Sequence, residues 1–186
     1  MEMTKWVIDS AHSEVQFKVK YLVISKLTGS FTNFHGGATV YGDQGFDNAE
    51  IHFTLDVNSV NTNLEARDKH LRSGEFFDAT NHPQISFQST TFKKVKGDLY
   101  HLLGYLTIKG ITKLVELDAE FGGIIKDLEG NTRAGFEVSG SISRWEFGLT
   151  FNPITGTGGM VLGEEIKLIA NIQLVQEVEA LQEKSV

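Results

Sequence analysis

Residues 14–21 read Glu-Val-Gln-Phe-Lys-Val-Lys-Tyr, and every second side chain in this stretch is apolar. Successive side chains of a β-strand point to opposite faces, so this period of two predicts a strand with one buried face and one solvated face. The buried face would carry Val15, Phe17, Val19 and Tyr21. The segment therefore predicts a sheet that is apolar on one side only.

The same alternation recurs along the rest of the chain. It is clear in residues 51–57, 115–121, 136–142 and 166–174, and weaker in residues 31–41, 85–92 and 99–108. Short turn sequences such as Lys96-Gly97-Asp98 separate the runs, and short turns join antiparallel strands. About eight such strands predict an all-β fold, a meander that closes into an antiparallel barrel. An eight-stranded barrel has room for packed side chains or for one slender ligand, and the pattern does not choose between them.

One segment departs from the strand pattern. Thr62-Asn63-Leu64-Glu65 has the form of a capping box, in which the Thr hydroxyl and the Glu carboxylate satisfy free amides at a helix start. This predicts a short helix from about Asn63 to Arg72, ending near Gly74 and placed after the third barrel strand. Two interpretations of the helix stay open. Leu71, Phe76 and Phe77 would either plug the barrel, with Arg67 and Asp68 paired at its rim, or form the wall of a pocket.

Length and charge narrow the function classes. A chain of 186 residues without cysteine fits one domain, residues 1–186, that ends in a loose tail over residues 176–186. The net charge of −7 argues against a nucleic-acid partner, which would need clustered Lys and Arg. No apolar run is long enough for a transmembrane helix. The start of the chain lacks an apolar signal segment, so we expect a cytoplasmic protein, or a periplasmic one if the chain is a mature or trimmed form.

The sequence lacks the motifs of common catalytic and metal sites. It has no cysteine and no G-x-S-x-G elbow, and its six histidines are scattered without metal-ligand spacing. We therefore predict no catalytic residue, no metal and no cofactor. The enzyme alternative would use Asp68 and His70 as an acid/base pair, but side chains two residues apart do not face each other on a helix.

A set of ordered motifs carries a family resemblance. They include Trp6-Val7-Ile8-Asp9 with His12-Ser13, the run from Arg67 to Arg72, Phe76-Phe77-Asp78, Pro83-Gln84-Ile85-Ser86-Phe87, the run from Gly104 to Gly110, and the run from Ser143 to Leu149. Together they resemble the YceI-like family from about Lys5 to Val175. The resemblance implies an extended lipocalin-like barrel that holds a polyisoprenoid, such as a quinone tail or prenyl phosphate, or another long-chain lipid. It also suggests a homodimer.

The resemblance and the alternating rows together give a set of candidate ligand-binding residues. The expected lining is Phe17, Val19, Phe53, Leu55, Leu71, Phe76, Phe77, Phe87, Phe136, Val138, Ile142 and Phe147, with Arg67 and His70 as contacts to a head group. Small residues on the apolar rows, Gly36, Ala38, Ala119 and Gly140, would leave room for a guest. The function expected is carriage or storage of a lipid. The alternatives are an enzyme acting on an isoprenoid or related lipid, and a stress-linked interaction protein with a filled barrel.

Overall fold

The fold is built almost entirely from β-strands. The computed structural model of the chain describes residues 2–43, 45–153, 156 and 161–178. Within these ranges the regular elements are β1 (Met3–Ile8), β2 (Glu14–Tyr21), β3 (Ser25–Phe31), β4 (Phe34–Tyr41), β5 (Glu50–Asp56), β6 (Val60–Asn61), α1 (Glu65–Arg72), β7 (Gln84–Lys96), β8 (Leu99–Ile108), β9 (Ile111–Lys126), β10 (Thr132–Ser143) and β11 (Leu162–Gln176). The predicted tail starts where β11 ends, and residues 179–186 lie outside the described part.

These strands close into an antiparallel barrel of eight. Three barrel strands are each made of two consecutive elements, namely β1 with β2, β3 with β4, and β5 with β6, and β7 to β11 supply the other five. Closure comes from β11, whose first part pairs with β2 while its end pairs with β1. The predicted fold class is therefore confirmed, including the helix after the third barrel strand.

Two of the breaks within barrel strands use the same side-chain chemistry. Between β1 and β2, the Asp9 carboxylate accepts a hydrogen bond from the Ala11 amide at 3.1 Å, and the Ser13 hydroxyl donates to the Asp9 carbonyl at 2.7 Å. Between β5 and β6, Asp56 accepts from the Asn58 amide at 2.9 Å. An Asp at such a position satisfies backbone donors that a bend would otherwise leave free. The strand can therefore bend without leaving the sheet.

The barrel has two unlike ends. At the end we call the base, residues 45–49 fold across the opening and are held to β7, because the Lys94 amide donates to the Asp47 carboxylate at 2.8 Å. At the other end, which we call the mouth, lie the β2–β3 turn, α1 and the residues that follow β10. The base is sealed by buried side chains, and the mouth carries the helix.

The start of α1 differs from the predicted capping box. The helix begins at Glu65 after Leu64, and no side chain caps it. The Thr62 hydroxyl instead donates to the Asp68 carboxylate at 2.5 Å, and the Thr62 amide donates to the same oxygen at 2.8 Å. The prediction failed because Asp68, one turn into the helix, takes both donors of Thr62. The result is a buried anchor between the helix and the end of β6.

Candidate functional site

The barrel encloses a cavity of about 670 Å³. Its lining is almost wholly apolar and comes from the inward rows of the barrel strands and from the segments at the mouth. Tyr21 and Leu64 line the cavity and are also 40% and 53% exposed, so the cavity reaches the protein surface beside them. Cavities of this size and character are typical of sites for small apolar ligands.

A cluster of aromatic side chains forms the floor of the cavity at the base. Phe46 is buried, lines the cavity, and lies with its ring centroid 5.0 Å from those of both Trp6 and Phe136. Phe92 and Phe136 line the same region, with their centroids 5.9 Å apart. Such contacts between rings fix the side chains against one another. The cavity is therefore closed at the base.

Inward-facing glycines widen the cavity, because large side chains of the neighbouring strands lie over them. A Cβ at Gly29 would overlap the ring of Phe17, which lies flat over the glycine on the neighbouring strand. Gly104 lies in the same way under the ring of Phe87. A large side chain that rests on a glycine takes up less of the interior. These two glycines were missed from the sequence, where an isolated glycine within a strand was the available signal.

Of the small residues predicted to make room, two do so directly. Ala38 and Ala119 line the cavity. Gly36 does not, because a Cβ there would run into the backbone at His52, and Gly140 lies beneath the side chain of Leu117. The room around Gly140 therefore benefits Leu117, which lines the cavity in its place.

Most of the residues predicted from the sequence come together around the cavity. The lining includes Phe17, Val19, Phe53, Leu55, Arg67, His70, Leu71, Phe76, Phe77, Phe87, Phe136, Val138 and Ile142. Their contact with a ligand stays a prediction. The placement of Phe147 is corrected: its side chain is fully buried in the core, in the turn after β10, and does not face the cavity. The alternation that places Ile142 inward ends with the strand, so it could not be extended to Phe147.

Further lining residues come from outside the rows used for the prediction. Phe46 precedes β5, and Leu149, Phe151 and Pro153 follow β10, so all four lie outside the strands on which the alternation was followed. The inward row of β8 contributes Leu102, Leu106 and Ile108, which its period of two could have indicated.

Arg67 is held at the mouth by the anchor at Thr62. Its Nε donates to the Thr62 hydroxyl and its Nη2 donates to the Thr62 carbonyl, each at 2.7 Å. Asp68 binds the same threonine from the other side, so Arg67 and Asp68 do not pair directly. Two of the three guanidinium nitrogens are thus fixed, and Arg67 presents its positive charge to the cavity lining.

His70 packs against two aromatic rings at the mouth, which also contact each other with their centroids 5.1 Å apart. Its ring centroid is 5.0 Å from that of Phe76 and 4.8 Å from that of Phe151, and both contacts are edge-on. Its Nε2 shares a hydrogen bond with the Glu75 carboxylate. The acid/base pair of the enzyme alternative is not formed, because Asp68 is occupied by Thr62 and His70 by Glu75.

A buried arginine that the prediction missed also lines the cavity. Arg144 donates to the backbone carbonyls of Gly163, at 2.8 Å, and Phe151, at 2.9 Å, and to that of Leu149. Burial lowers the pKa of its guanidinium from the ordinary value. Because its donors are directed at carbonyls, we assign Arg144 the role of holding the residues after β10 against the start of β11.

Two other classes of site are absent from the described residues. These residues contain no group of three or more His, Cys, Asp or Glu side chains that could hold a metal ion. Their helical segments include none with the length and apolar character needed to cross a membrane.

Comparison with known proteins gives matches along nearly the whole chain. A family model described as the YceI-like domain matches residues 6–174. UPF0312 proteins of Staphylococcus aureus strains N315 and Mu50 / ATCC 700699 are each 39% identical over 175 residues, which cover 92% of this chain and 97% of the relative.

Solved structures give the same result for the fold. The YCEI protein of Campylobacter jejuni is 30% identical, with a TM-score of 0.74, 91% of this chain covered and 96% of that one. Burkholderia cenocepacia BcnA is 21% identical with a TM-score of 0.76, and the match covers 89% of this chain and 98% of that one. A polyisoprenoid binding domain from Saccharophagus degradans, implicated in plant cell wall breakdown, is 14% identical with a TM-score of 0.68, covering 92% and 98%. The last two likenesses are to the fold alone.

Proposed function

Since this chain belongs to the YceI-like domain family, we propose that it binds one long apolar lipid inside its barrel, with a polyisoprenoid as the first candidate, and carries or stores it. The observation that carries the proposal is the apolar cavity of about 670 Å³, open at the mouth and closed at the base. Burial of each CH₂ group contributes about 0.8 kcal/mol, so a long chain gains affinity through its length. The polyisoprenoid binding domain of Saccharophagus degradans, which has the same fold, supports this class of ligand.

The cavity volume gives an expected chain length. A methylene group is similar in size to a water molecule, which takes up about 30 Å³ in the liquid, so the cavity holds roughly twenty carbon atoms. That corresponds to roughly four isoprene units by the same estimate. A longer chain would leave its remaining units outside the mouth.

The head group of the ligand would lie at the mouth, next to Arg67 and His70. Both side chains line the cavity there, and two nitrogens of Arg67 are fixed by Thr62. A fixed guanidinium suits an oxygen-rich head group, because its donors are already directed. We therefore propose that the apolar chain points to the base and that a prenyl phosphate or quinone head faces these two residues.

Native mass spectrometry of gently purified protein, with identification of any released molecule, tests the proposal. We expect one bound apolar lipid per chain, or stoichiometric uptake of an offered isoprenoid of about twenty carbons. A clean mass of the empty chain, with no uptake of offered isoprenoid alcohols, phosphates or quinones, would contradict it.

A pair of matched variants separates cavity binding from adsorption to the surface. Ala170 lines the cavity and is only partly buried, so Ala170→Phe places a ring in the space that the chain would use. Its neighbour Asn171 is exposed on the outer face, and Asn171→Tyr adds a ring there instead. We expect Ala170→Phe to lower lipid affinity at least about tenfold and Asn171→Tyr to leave it unchanged. Equal binding by both variants would place the lipid outside the barrel.

A further inference from the structure

The turn between β2 and β3 exposes three consecutive apolar side chains. Leu22, Val23 and Ile24 are 50%, 87% and 88% exposed. Exposed turns favour Gly, Asn, Asp and Ser, as the sequence Gly42-Asp43 shows at the end of β4. Leu22 also has a φ of 56°, a left-handed conformation that is costly for a leucine. The requirements of a tight turn therefore do not explain why three apolar residues stand here.

The turn lies at the mouth and continues the apolar surface of the cavity. Tyr21 and Leu27, which flank it on β2 and β3, both line the cavity. The Leu22 amide donates to the Val161 carbonyl at 2.7 Å, which fixes the turn beside the residues that precede β11. Leu64, at the start of α1, is another exposed apolar side chain that lines the cavity. An apolar path therefore runs from the cavity to the tip of the turn.

The stretch around this turn, residues 15–42, carries charge opposite in sign to that of the whole protein. The chain has a net charge of −7, yet it contains no Asp or Glu between Glu14 and Asp43. Lys20 and Lys26 face each other across β2 and β3, both exposed. Like charges directly opposite each other destabilise a strand pair. Glu164 and Glu165 lie in the bulge of β11 opposite Lys20 and offset part of its charge, whereas Lys26 lies on β3, away from β11, and favours an external anion.

We propose that the β2–β3 turn docks the protein onto an anionic lipid bilayer with the mouth of the cavity against the membrane. Leu22, Val23 and Ile24 enter the interface between head groups and acyl chains, and Lys20 and Lys26 contact the anionic head groups. Apolar side chains combined with a few basic residues are what interfacial binding requires. The inference goes beyond ligand binding, because it concerns how the protein reaches a lipid source.

A second copy of the chain fits this surface less well than a bilayer does. A symmetric dimer through the turn would bring Lys20 and Lys26 of one protomer close to the same residues of its partner. Three apolar side chains also form a patch far smaller than the surface that a stable dimer buries. A membrane supplies both an apolar phase and the opposite charge.

Co-sedimentation with vesicles tests the docking. The full chain is mixed with vesicles of phosphatidylcholine alone, or of phosphatidylcholine with a minority of phosphatidylglycerol. We expect binding to the anionic vesicles that weakens as salt is added, because salt screens the lysines. The variant Lys20→Gln with Lys26→Gln should lose the preference for phosphatidylglycerol.

The apolar contribution is tested with a pair of double variants. Val23→Ser with Ile24→Ser removes the tip, and Ile125→Ser with Leu128→Ser removes two exposed apolar side chains near the base. We expect the tip variant to bind vesicles at least about tenfold more weakly and the base variant to bind like the natural sequence. All four positions are exposed, so thermal unfolding should change little and will verify folding.

Three outcomes would overturn the proposal. They are absence of vesicle binding by the natural sequence, equal binding by the tip and base variants, and loss of a dimer in the tip variant with vesicle binding unchanged. Uptake of a lipid offered in detergent is measured in parallel. If the tip variant takes up this lipid normally, the cavity still binds lipid, and any loss of vesicle binding is a loss of docking alone.

Discussion

At the scale of single residues, the room inside the barrel depends on glycines that lie beneath large side chains. Phe17 rests on Gly29, Phe87 on Gly104, and Leu117 on Gly140. Each of these glycines belongs to the inward row of its strand, where any other residue would project into the interior. The width of the cavity therefore depends on pairs of residues, a glycine and a large side chain, on neighbouring strands.

Gly29→Ala should reduce lipid binding with little loss of stability. The three atoms nearest to the added Cβ are ring atoms of Phe17, so we expect the ring to swing into the cavity while the backbone stays in place. We expect lipid affinity to fall by about tenfold, a change of about 1.4 kcal/mol. Fluorescence displacement of a bound isoprenoid analogue would measure it.

Gly74→Ala is the matched control for that change. A Cβ at Gly74 meets no atom within 4 Å, and its φ is not in the left-handed region. Unchanged affinity in both variants would mean that Phe17 does not border the ligand.

The sequence pattern predicted which strand residues face inward, but it did not predict which residues they pack against. Phe17 and Val138 were placed correctly because the period of two fixes the face of a strand. The glycine under Phe17 was not identified, because the register between β2 and β3 has to be known before Gly29 can be paired with it. Phe46 was missed because the segment before β5 has no period that indicates direction.

At the scale of elements, two polar contacts join separate elements of the fold. Thr62 binds both Arg67 and Asp68 and so holds α1 to the end of β6. Arg133, at the start of β10, donates to the carboxylates of Asp9 and Asp127, each at 2.6 Å. The first contact positions the helix at the mouth, and the second joins the β1–β2 bend to the β9–β10 turn.

Thr62→Val should loosen the helix at the mouth. The substitution leaves the buried Asp68 carboxylate and the Arg67 Nε without the hydroxyl that they share. A lost hydrogen bond to a buried charged group costs about 1–3 kcal/mol, and hydrogen exchange in α1 should quicken. Urea unfolding and amide exchange measure the two effects. Thr28→Val, at an exposed position on β3, should leave both unchanged.

The Arg133 contacts should make stability depend on pH in the acid range. The hydrogen bond from Arg133 holds the pKa of Asp9 and that of Asp127 below their usual range. Lowered folded-state values contribute stability that is complete above the unfolded pKa of about 4 and is lost as the pH falls below it. Arg133→Gln should lower the urea midpoint at neutral pH and flatten its decline in acid.

Arg72→Gln serves as the comparison for Arg133→Gln. Arg72 pairs with Glu65 at 2.7 Å, but that carboxylate is 81% exposed, so we expect a change below about 1 kcal/mol and the same acid profile as the natural sequence. An unchanged decline in acid for Arg133→Gln would show that other carboxylates control it.

The capping box shows the limit of local prediction at this scale. Thr62 and Glu65 have the required spacing, and the helix does form at that place. However, a threonine hydroxyl can also donate to an acceptor within reach, and that of Thr62 donates to the Asp68 carboxylate instead of capping the helix. The sequence therefore predicted where the helix forms, whereas the contact between Thr62 and Asp68 that anchors it depends on how the helix packs.

At the scale of the whole molecule, the barrel is a tube with a hydrophobic floor and an apolar rim. Phe46 forms the centre of the floor, with rings of Trp6, Phe121 and Phe136 around it. The volume above the floor limits the length of chain that fits. In the proposed function, chain-length preference is therefore a property of the base, whereas head-group preference and the proposed docking belong to the mouth.

Phe46→Leu should shift the preferred chain length upward. The smaller side chain lowers the floor, so an isoprenoid or acyl chain longer by roughly one or two carbons should bind best, at a stability cost of about 1 kcal/mol. Competition among alcohols of increasing length, read by native mass spectrometry, would show the shift.

Phe121→Leu is the control at the base. Phe121 contacts Phe46 with a centroid distance of 5.8 Å but does not line the cavity. It should cost similar stability and leave the preferred length unchanged. The same shift in both variants would mean that general loosening, rather than the floor, sets the length.

For the proposed lipid ligand, the closed base also fixes the order of events in loading and unloading. A tube with one opening admits a chain lengthwise, with the hydrocarbon terminus first, and releases it in the reverse order. The terminus that enters first leaves last, and the head group never passes through the barrel. Under the proposed carrier function, a recipient at the mouth would meet the head group before any of the chain, so recognition would come before extraction.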